Sequence, residues 1–234
     1  MLQACLNGAR AADTPHLPLT PEAVAADALA CHAAGAGCLH IHPRDGQGRE
    51  SLAPEDVAAH LLAVRAAVPG MAVGISTGDW IAPRRGRLDD MRAWGEKPDY
   101  VSVNLSEPDA PEVIALMAGI GVGVELGLAS EADLDRLEGL DLSHAIRAMI
   151  EMDRGELETV MPLAGRMFMR LQARGLPILL HGFDDTAWPF VAAARDLGCD
   201  TRIGLEDCLH LPDGSAAGNA GLVAVALRIL ERRP

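Results

Sequence analysis

The sequence predicts a closed (β/α)₈ barrel, and three observations predict it. Eight short apolar runs recur along the chain, each ending in polar or glycine residues. Amphipathic helical stretches lie between them, and this alternation is the order of parallel strands joined by crossover helices. The competing architecture, an open doubly wound sheet, lacks its usual fingerprint. Gly119, Gly121 and Gly123 flank or enter a strand instead of opening a helix around a pyrophosphate. Eight strand–helix units over 234 residues suit one compact barrel, typically about 250 residues long. Residues 1–234 are therefore read as one domain.

In chain order, the strands are expected over residues 2–7, 38–42, Ala72–Ser76, Tyr100–Asn104, 121–126, 145–151, 177–181 and 201–206. Helices are expected over residues 21–34, 54–68, 131–137, 157–174 and 188–197. Two of these open with start chemistry: Thr20-Pro21 before Glu22, and Ala53-Pro54 before Glu55-Asp56. The sixth strand is the weakest, because its apolar run reads equally well as helix. No linker, low-complexity segment or charge block marks a second domain.

Composition narrows the function. A hydrophobic fraction of 49% supplies a core, but aromatics are only 3%, so that core is built from Ala, Leu, Val, Ile and Met. The net charge of −13 argues against nucleic acid as a partner, since phosphate binding needs a basic face. Five cysteines without CxxC spacing suit a reduced, cytoplasmic protein. The first residues do not read as a signal peptide, and no apolar stretch reaches the ~20 residues of a membrane span.

The chemistry collects at the strand ends: Asn7, His40, His42, Ser76, Asn104, Glu125, Glu151, His181 and Glu206. In barrel enzymes that end carries the active site. His40 and His42 are two apart on a strand, so both point to one face. If Ile41 packs outward against helices, both imidazoles enter the barrel. They then need partners, and zinc is the usual one; the alternative is a pair of hydrogen-bonded core histidines. Glu206, ending the eighth strand, supplies a third ligand, or else caps the next helix together with Asp207. Three protein ligands leave a position open for water or substrate, as in catalytic zinc sites.

The remaining candidates each carry two readings. Ser76 and Thr77, like Asn104 and Ser106, bind substrate or cap turns. Glu125 lies inside an apolar run and needs a partner, which favours a role in the site. Arg84, Arg85 and Arg87 follow the third strand and either hold cofactor phosphates or pair with surplus acids. Arg10 is expected at the mouth, offering a fork to a substrate carboxylate or pairing with Asp13 or Asp45. His181 orients a neighbouring site residue, serves as a fourth ligand or contacts the substrate.

Five motifs together resemble the β-keto acid cleavage enzymes, whose name-giver cleaves 3-keto-5-aminohexanoate. They are Asn7-Gly8-Ala9-Arg10, His40-Ile41-His42-Pro43-Arg44-Asp45, Ile75-Ser76-Thr77-Gly78, Val124-Glu125-Leu126 and Thr201-Arg202-Ile203-Gly204-Leu205-Glu206-Asp207. The stretch Asn219-Ala220-Gly221-Leu222-Val223 looks like the family's C-terminal helix. The resemblance implies a barrel with one zinc per chain, held by His40, His42 and Glu206. It implies a homo-oligomer, dimer or tetramer, that condenses a β-keto acid with acetyl-CoA and releases acetoacetate and a new CoA thioester. It makes Asp207 the general base, Arg202 the group that orients it, and Ser76 and Glu125 polar residues of the active site. The chain differs from the family between residues 145 and 155, where no glycine-rich loop of the kind associated with CoA handling is present. Two rival readings remain: a metal-dependent hydrolase of the amidohydrolase type, and a non-catalytic barrel that binds a metal or a small acid. The hydrolases carry His-x-His on the first strand, whereas here it lies on the second.

Overall fold

A computed structural model describes residues 1–152 and 155–232. Eight strands close into a parallel barrel in sequence order, with the last pairing back to the first. They are β1 (Leu2–Cys5), β2 (Cys38–Ile41), β3 (Ala72–Ser76), β4 (Tyr100–Asn104), β5 (Gly123–Leu128), β6 (Ala145–Met152), β7 (Ile178–Gly182) and β8 (Asp200–Ile203). The helices are α1 (Pro21–Ala33), α2 (Pro54–Ala67), α3 (Arg84–Arg92), α4 (Ala110–Ile120), α5 (Glu131–Arg136), α6 (Leu157–Gln172), α7 (Ala187–Leu197) and α8 (Asn219–Glu231). No helix among the described residues is long and apolar enough to cross a membrane.

Local chemistry sets the boundaries. The Thr20 hydroxyl accepts the Ala23 N–H to start α1, with Pro21 in the first turn. Ser130 and Asp133 form a reciprocal capping box at α5. Gly121 and Gly198 end α4 and α7 in the left-handed conformation, which only a residue without Cβ adopts freely. The segment after the third strand, expected as a loop, is helical from Arg84. The sixth run is a strand and not a helix: β6 pairs with both neighbours over most of its length.

Outward-facing residues of the strands, among them Leu39, Ile41, Val73, Ile75, Val101 and Leu126, are buried in one apolar layer against the helices. The inward face is polar and stacked in storeys. Near the N-terminal end of the barrel, Arg147 pairs with Glu125, and Gln3 bonds both Glu125 and the Tyr100 hydroxyl, at 3.2 and 2.8 Å. The Tyr100 ring occupies the space that a Cβ on Gly74 would take. The four side chains Gln3, Tyr100, Glu125 and Arg147 are buried and have polar partners, which is what a low-dielectric interior requires.

Candidate active site

The second polar storey lies at the C-terminal mouth, around a cavity of about 430 Å³. It is lined by His40, His42, Arg202 and Glu206 together with Ser76, Ser102, Asn104, Met149, Glu151, Phe183, Trp80, Ala9 and Arg10. Both histidine Nε2 atoms lie 3.7 Å from Glu206 Oε2. Among the described residues these three side chains form the one group of His, Cys, Asp or Glu donors close enough to share an ion. Glu206 Oε2 is buried and without a hydrogen-bond partner. Two donors held about 2.1 Å from one zinc in tetrahedral geometry are separated by roughly 3.4 Å, so the trio fits a small divalent cation.

Several residues hold the trio in place. Strand β2 ends at Ile41, so His42 leads the following loop, and Asn7 pins it there. The Asn7 side chain accepts the His42 N–H at 2.8 Å and donates to the His42 carbonyl at 3.0 Å. Arg44 donates to the carbonyls of Gly8, Arg10 and Gly48, tying the loops after β1 and β2 together. Strand β8 ends at Ile203, three residues before Glu206, so the carboxylate is delivered by a tight turn and not by the strand face. Gly204 makes that turn possible: a Cβ there would lie 1.9 Å from the Cys5 carbonyl oxygen. Gly8 also clears a path, since a Cβ there would lie 2.4 Å from Glu206 Cγ.

The electrostatics suit a cation. Burial holds His40 down to about 3, so its imidazole is neutral and keeps a lone pair. Burial also opposes charging of His42, but the Glu206 and Glu50 carboxylates outweigh it and raise that group to about 9. The same carboxylates would favour a cation beside His42, which binds a metal only once its proton is displaced. Glu206 sits well below the usual carboxylate range: burial works against its charge, and Arg202, His40 and His42 overcome it.

Glu50 was not singled out in the sequence. Its Oε1 lies 2.5 Å from His42 Nδ1, and its Oε2 accepts the Trp80 indole N–H at 3.0 Å. This is the carboxylate–histidine arrangement that orients metal ligands. Its sequence signal was available, eight residues after His42, but only as one of many acids in a loop.

Asp207 is fully buried and does not line the cavity. Its Oδ1 accepts Arg202 Nη2–H at 2.8 Å and Nε–H at 3.1 Å. Burial raises Asp207 to about 6 against the pull of Arg202 and His181. Arg202 also donates to Glu206 Oε1 at 2.8 Å. His181 is outside the donor trio; it sits between Arg202, whose Nε–H it accepts at 3.2 Å, and Glu151, 3.3 Å from its Nε2.

Six other expected site residues lie elsewhere. Glu125 does not end its strand: β5 runs on to Leu128, and Gly127 occupies the inward position at the level of Asn104. Glu125 therefore belongs to the storey below, paired with Arg147. Thr77 is buried and gives its hydroxyl to the Ser102 carbonyl at 2.7 Å, and Ser106 is exposed away from the cavity. Arg84 and Arg87 are engaged by acids. Arg84 pairs with Glu112 and Asp109, and the wholly buried Arg87 pairs with Glu107 and Asp109. Arg85 is exposed on α3 and does not line the cavity. Arg10 does reach the mouth, but it pairs with Asp184 at 2.7 Å and not with Asp13 or Asp45; its Nε–H faces the carbonyls of Leu205 and Glu206.

Fold and site thus define a (β/α)₈-barrel enzyme with a candidate His-His-Glu metal centre at its C-terminal mouth. The comparisons narrow the class. The model of the beta-keto acid cleavage enzyme family matches residues 1–118 and 145–233, and the chain belongs to that family. The chain is 24% identical to the 3-oxoadipate:acetyl-CoA acetyltransferase of Cupriavidus necator (strain ATCC 17699), over 95% of this chain and 84% of that protein. Among solved structures it resembles apo ObcA, with a TM-score of 0.75 and 19% identity over 92% of this chain and 62% of ObcA. The 3-dehydroquinate dehydratase of Geobacillus kaustophilus HTA426 aligns at a TM-score of 0.63 and 13% identity, over 99% and 92% of the two chains. These structural likenesses concern the fold. The chain spans just under two thirds of the length of ObcA.

Proposed function

We propose that the chain holds one zinc ion through His40, His42 and Glu206 and condenses a β-keto acid with acetyl-CoA, yielding acetoacetate and a new CoA thioester. The observation that carries this reading is the convergence of two buried imidazole nitrogens on an unpartnered, buried carboxylate oxygen inside the cavity of a chain from this family. When bound, zinc supplies a Lewis acid that lowers the energy of negative charge on the keto oxygen.

The chain's own residues do the rest. Arg202, its charge matched by Asp207 and Glu206, lines the cavity wall and offers guanidinium N–H donors there rather than a net positive charge. Ser76, Ser102 and Asn104 offer hydroxyl and amide groups across the cavity to the polar atoms of the substrate. Trp80 and Phe183 form apolar walls that displace water from the reacting atoms. Arg10 supports the site by holding the Glu206 carbonyl, and its charge is balanced by Asp184, so it selects less strongly for acid-tailed substrates than a free guanidinium would. The relative from Cupriavidus necator makes 3-oxoadipate the first keto acid to test, and one structure of ObcA is of a complex with a C4-CoA adduct. Five free cysteines support action in a reduced, cytoplasmic setting. We take the working unit to be a homo-oligomer.

The test is an assay for acetoacetate with zinc-loaded protein, acetyl-CoA and a panel of β-keto acids including 3-oxoadipate. The expected result is acetoacetate together with a CoA thioester of the remaining acyl group. Hydrolysis of an amide or ester panel with no acetoacetate from any keto acid would replace this reading by the hydrolase.

A further inference from the structure

The cavity carries a negative charge that its own walls do not balance. Arg10 is paired with Asp184, at 2.7 Å. The other guanidinium in the lining is Arg202, and three carboxylates draw on its Nη2 atom: Glu206 and Asp207 at 2.8 Å each, and Glu151 at 4.0 Å. A divalent ion on the donor trio would take up the charge of Glu206 and that of a substrate carboxylate, and Arg202 then matches Asp207. Glu151 is left over. It lines the cavity, and its side chain is 24% exposed. Its contacts fall on Oε2, with His181 Nε2 at 3.3 Å and Arg202 Nη2 at 4.0 Å; among the described residues nothing engages Oε1.

We propose that Glu151 sets the substrate class of this site: it binds an alkylammonium group on the acyl chain of the β-keto acid and turns away acids whose chain ends in a second carboxylate. The proposal rests on the reading of the reaction given above, and deepens it. A β-keto acid has two ends. Glu151 repels the carboxylate end, so the acyl chain is the end that faces it, and that chain leaves as the new CoA thioester. An ammonium N–H there meets an acceptor oxygen for which no other donor competes, and a hydrogen bond between two charged groups is the strong kind. A chain that ends in a carboxylate sets like charges against each other in a partly buried site, which is how a pocket rejects a substrate of similar size.

The surroundings prepare Glu151 for this. His181 accepts the Arg202 Nε–H on Nδ1, which puts its own proton on Nε2, facing Glu151 Oε2. One carboxylate oxygen is thereby steadied while the other stays open. Glu151 lies opposite His181 in the β6–β7 ladder, which fixes this pairing in the backbone register. Although burial opposes it, His181 and Arg202 keep the Glu151 carboxyl below its ordinary value, so it stands ionised. Phe183 stands edge-on to His181, with 5.0 Å between ring centroids, and lines the same cavity. An aromatic ring on that side adds to the attraction for an alkylated cation.

Three acids serve as probes: 6-(dimethylamino)-3-oxohexanoate, its uncharged carbon analogue 7-methyl-3-oxooctanoate, and 3-oxoadipate. The tertiary amine carries one N–H when charged and cannot close onto its own ketone as an imine. Acetoacetate formation with acetyl-CoA and zinc-loaded protein gives kcat/KM for each, and calorimetry without acetyl-CoA gives each Kd. The wild type is expected to prefer the amino acid to its carbon analogue by about 10–100-fold, the worth of one hydrogen bond to a charged group, and to use 3-oxoadipate at least ~10-fold less well than the analogue. Glu151→Gln should bring the three within about threefold of one another, and Glu151→Lys should reverse the order. These ratios separate selection from damage, because a disturbed fold or lost zinc lowers all three acids together. A wild type that prefers 3-oxoadipate, or an amino preference that survives Glu151→Gln in both kcat/KM and Kd, overturns the proposal. Failure of every acid to give acetoacetate overturns the reading of the reaction instead, and the Kd series still decides the part played by Glu151.

Discussion

Gly204→Ala tests the metal site without touching a ligand. A Cβ at this position would lie 1.9 Å from the Cys5 carbonyl oxygen and 2.8 Å from Asn219 Oδ1. Neither atom is a loose tip. The carbonyl accepts the Glu206 N–H at 3.3 Å. The Asn219 amide accepts the Leu205 N–H at 2.6 Å and donates to the Leu6 carbonyl at 2.7 Å. In a close-packed interior the turn must therefore retreat by about 1 Å to seat the methyl group. Glu206 Oε2 starts 3.7 Å from each imidazole Nε2. Two atoms that each lie about 2.1 Å from one zinc cannot be more than about 4.2 Å apart. A retreat of that size carries the carboxylate past the limit. The expected outcome is a zinc Kd weakened at least ~100-fold, at the upper end of what displaced supporting groups cost. Overpacking should also cost about 1–3 kcal/mol of stability, or roughly 2–12 °C in Tm for a chain of this size. Chelator competition reads the first, thermal unfolding of metal-free protein the second. One equivalent of zinc bound at wild-type affinity by Gly204→Ala would refute the account of how this loop delivers Glu206.

Four further outcomes follow from the same geometry. His40→Ala and His42→Ala should each lose most of the single metal equivalent found by elemental analysis; full occupancy in either removes that residue from the ligand set. Glu50→Gln should weaken metal affinity about 10–100-fold with little change in Tm, and unchanged affinity would leave Glu50 only a tether for Trp80. Asp207→Asn should keep its metal and lose about 10²–10⁴ in kcat, the usual worth of a positioned base; unchanged turnover would remove Asp207 from the mechanism. Glu125→Ala should leave Arg147 buried and unpaired, costing about 3–5 kcal/mol in denaturant unfolding, while zinc affinity and KM hold. A fall in kcat/KM at full stability would put Glu125 back in the active site.

The barrel was legible because its signal is periodic. Every strand lies within a few residues of its expected range, and even the ambiguous sixth run is decided by pairing on both sides. His40 and His42 were legible for the same reason, since alternation along a strand fixes which residues share a face. Where strand ends shifted, side-chain roles shifted with them. Two extra residues on β5 put Gly127 at the mouth and leave Glu125 a storey below. Arg87 illustrates a second limit: a run of arginines looks identical whether it faces phosphate or carboxylates 20 and 22 residues away in the chain. Glu50, Trp80 and Phe183 were missed because loops carry no period, and only the closed fold brings them to the cavity. Asn7 was visible as a strand end, but its clamp on His42 joins positions 35 residues apart.

The two glycines beside Glu206 divide the rim of the barrel for anyone who wishes to retune it. On the arc formed by the ends of β8, β1 and β2, Gly8 and Gly204 leave no volume for even a methyl group, and Asn7, Arg44 and Asn219 lock the loops that surround them. Libraries that diversify this arc should yield mostly inactive clones. The arc from β3 to β6 presents Ser76, Ser102, Asn104 and Met149 to the same cavity, and the glycines there, Gly78 and Gly127, face the side chains of Trp80 and Asn104 and not the trio. Variation in substrate range should therefore accumulate on that side, and a saturation library split between the two arcs should recover altered selectivity almost wholly from the second.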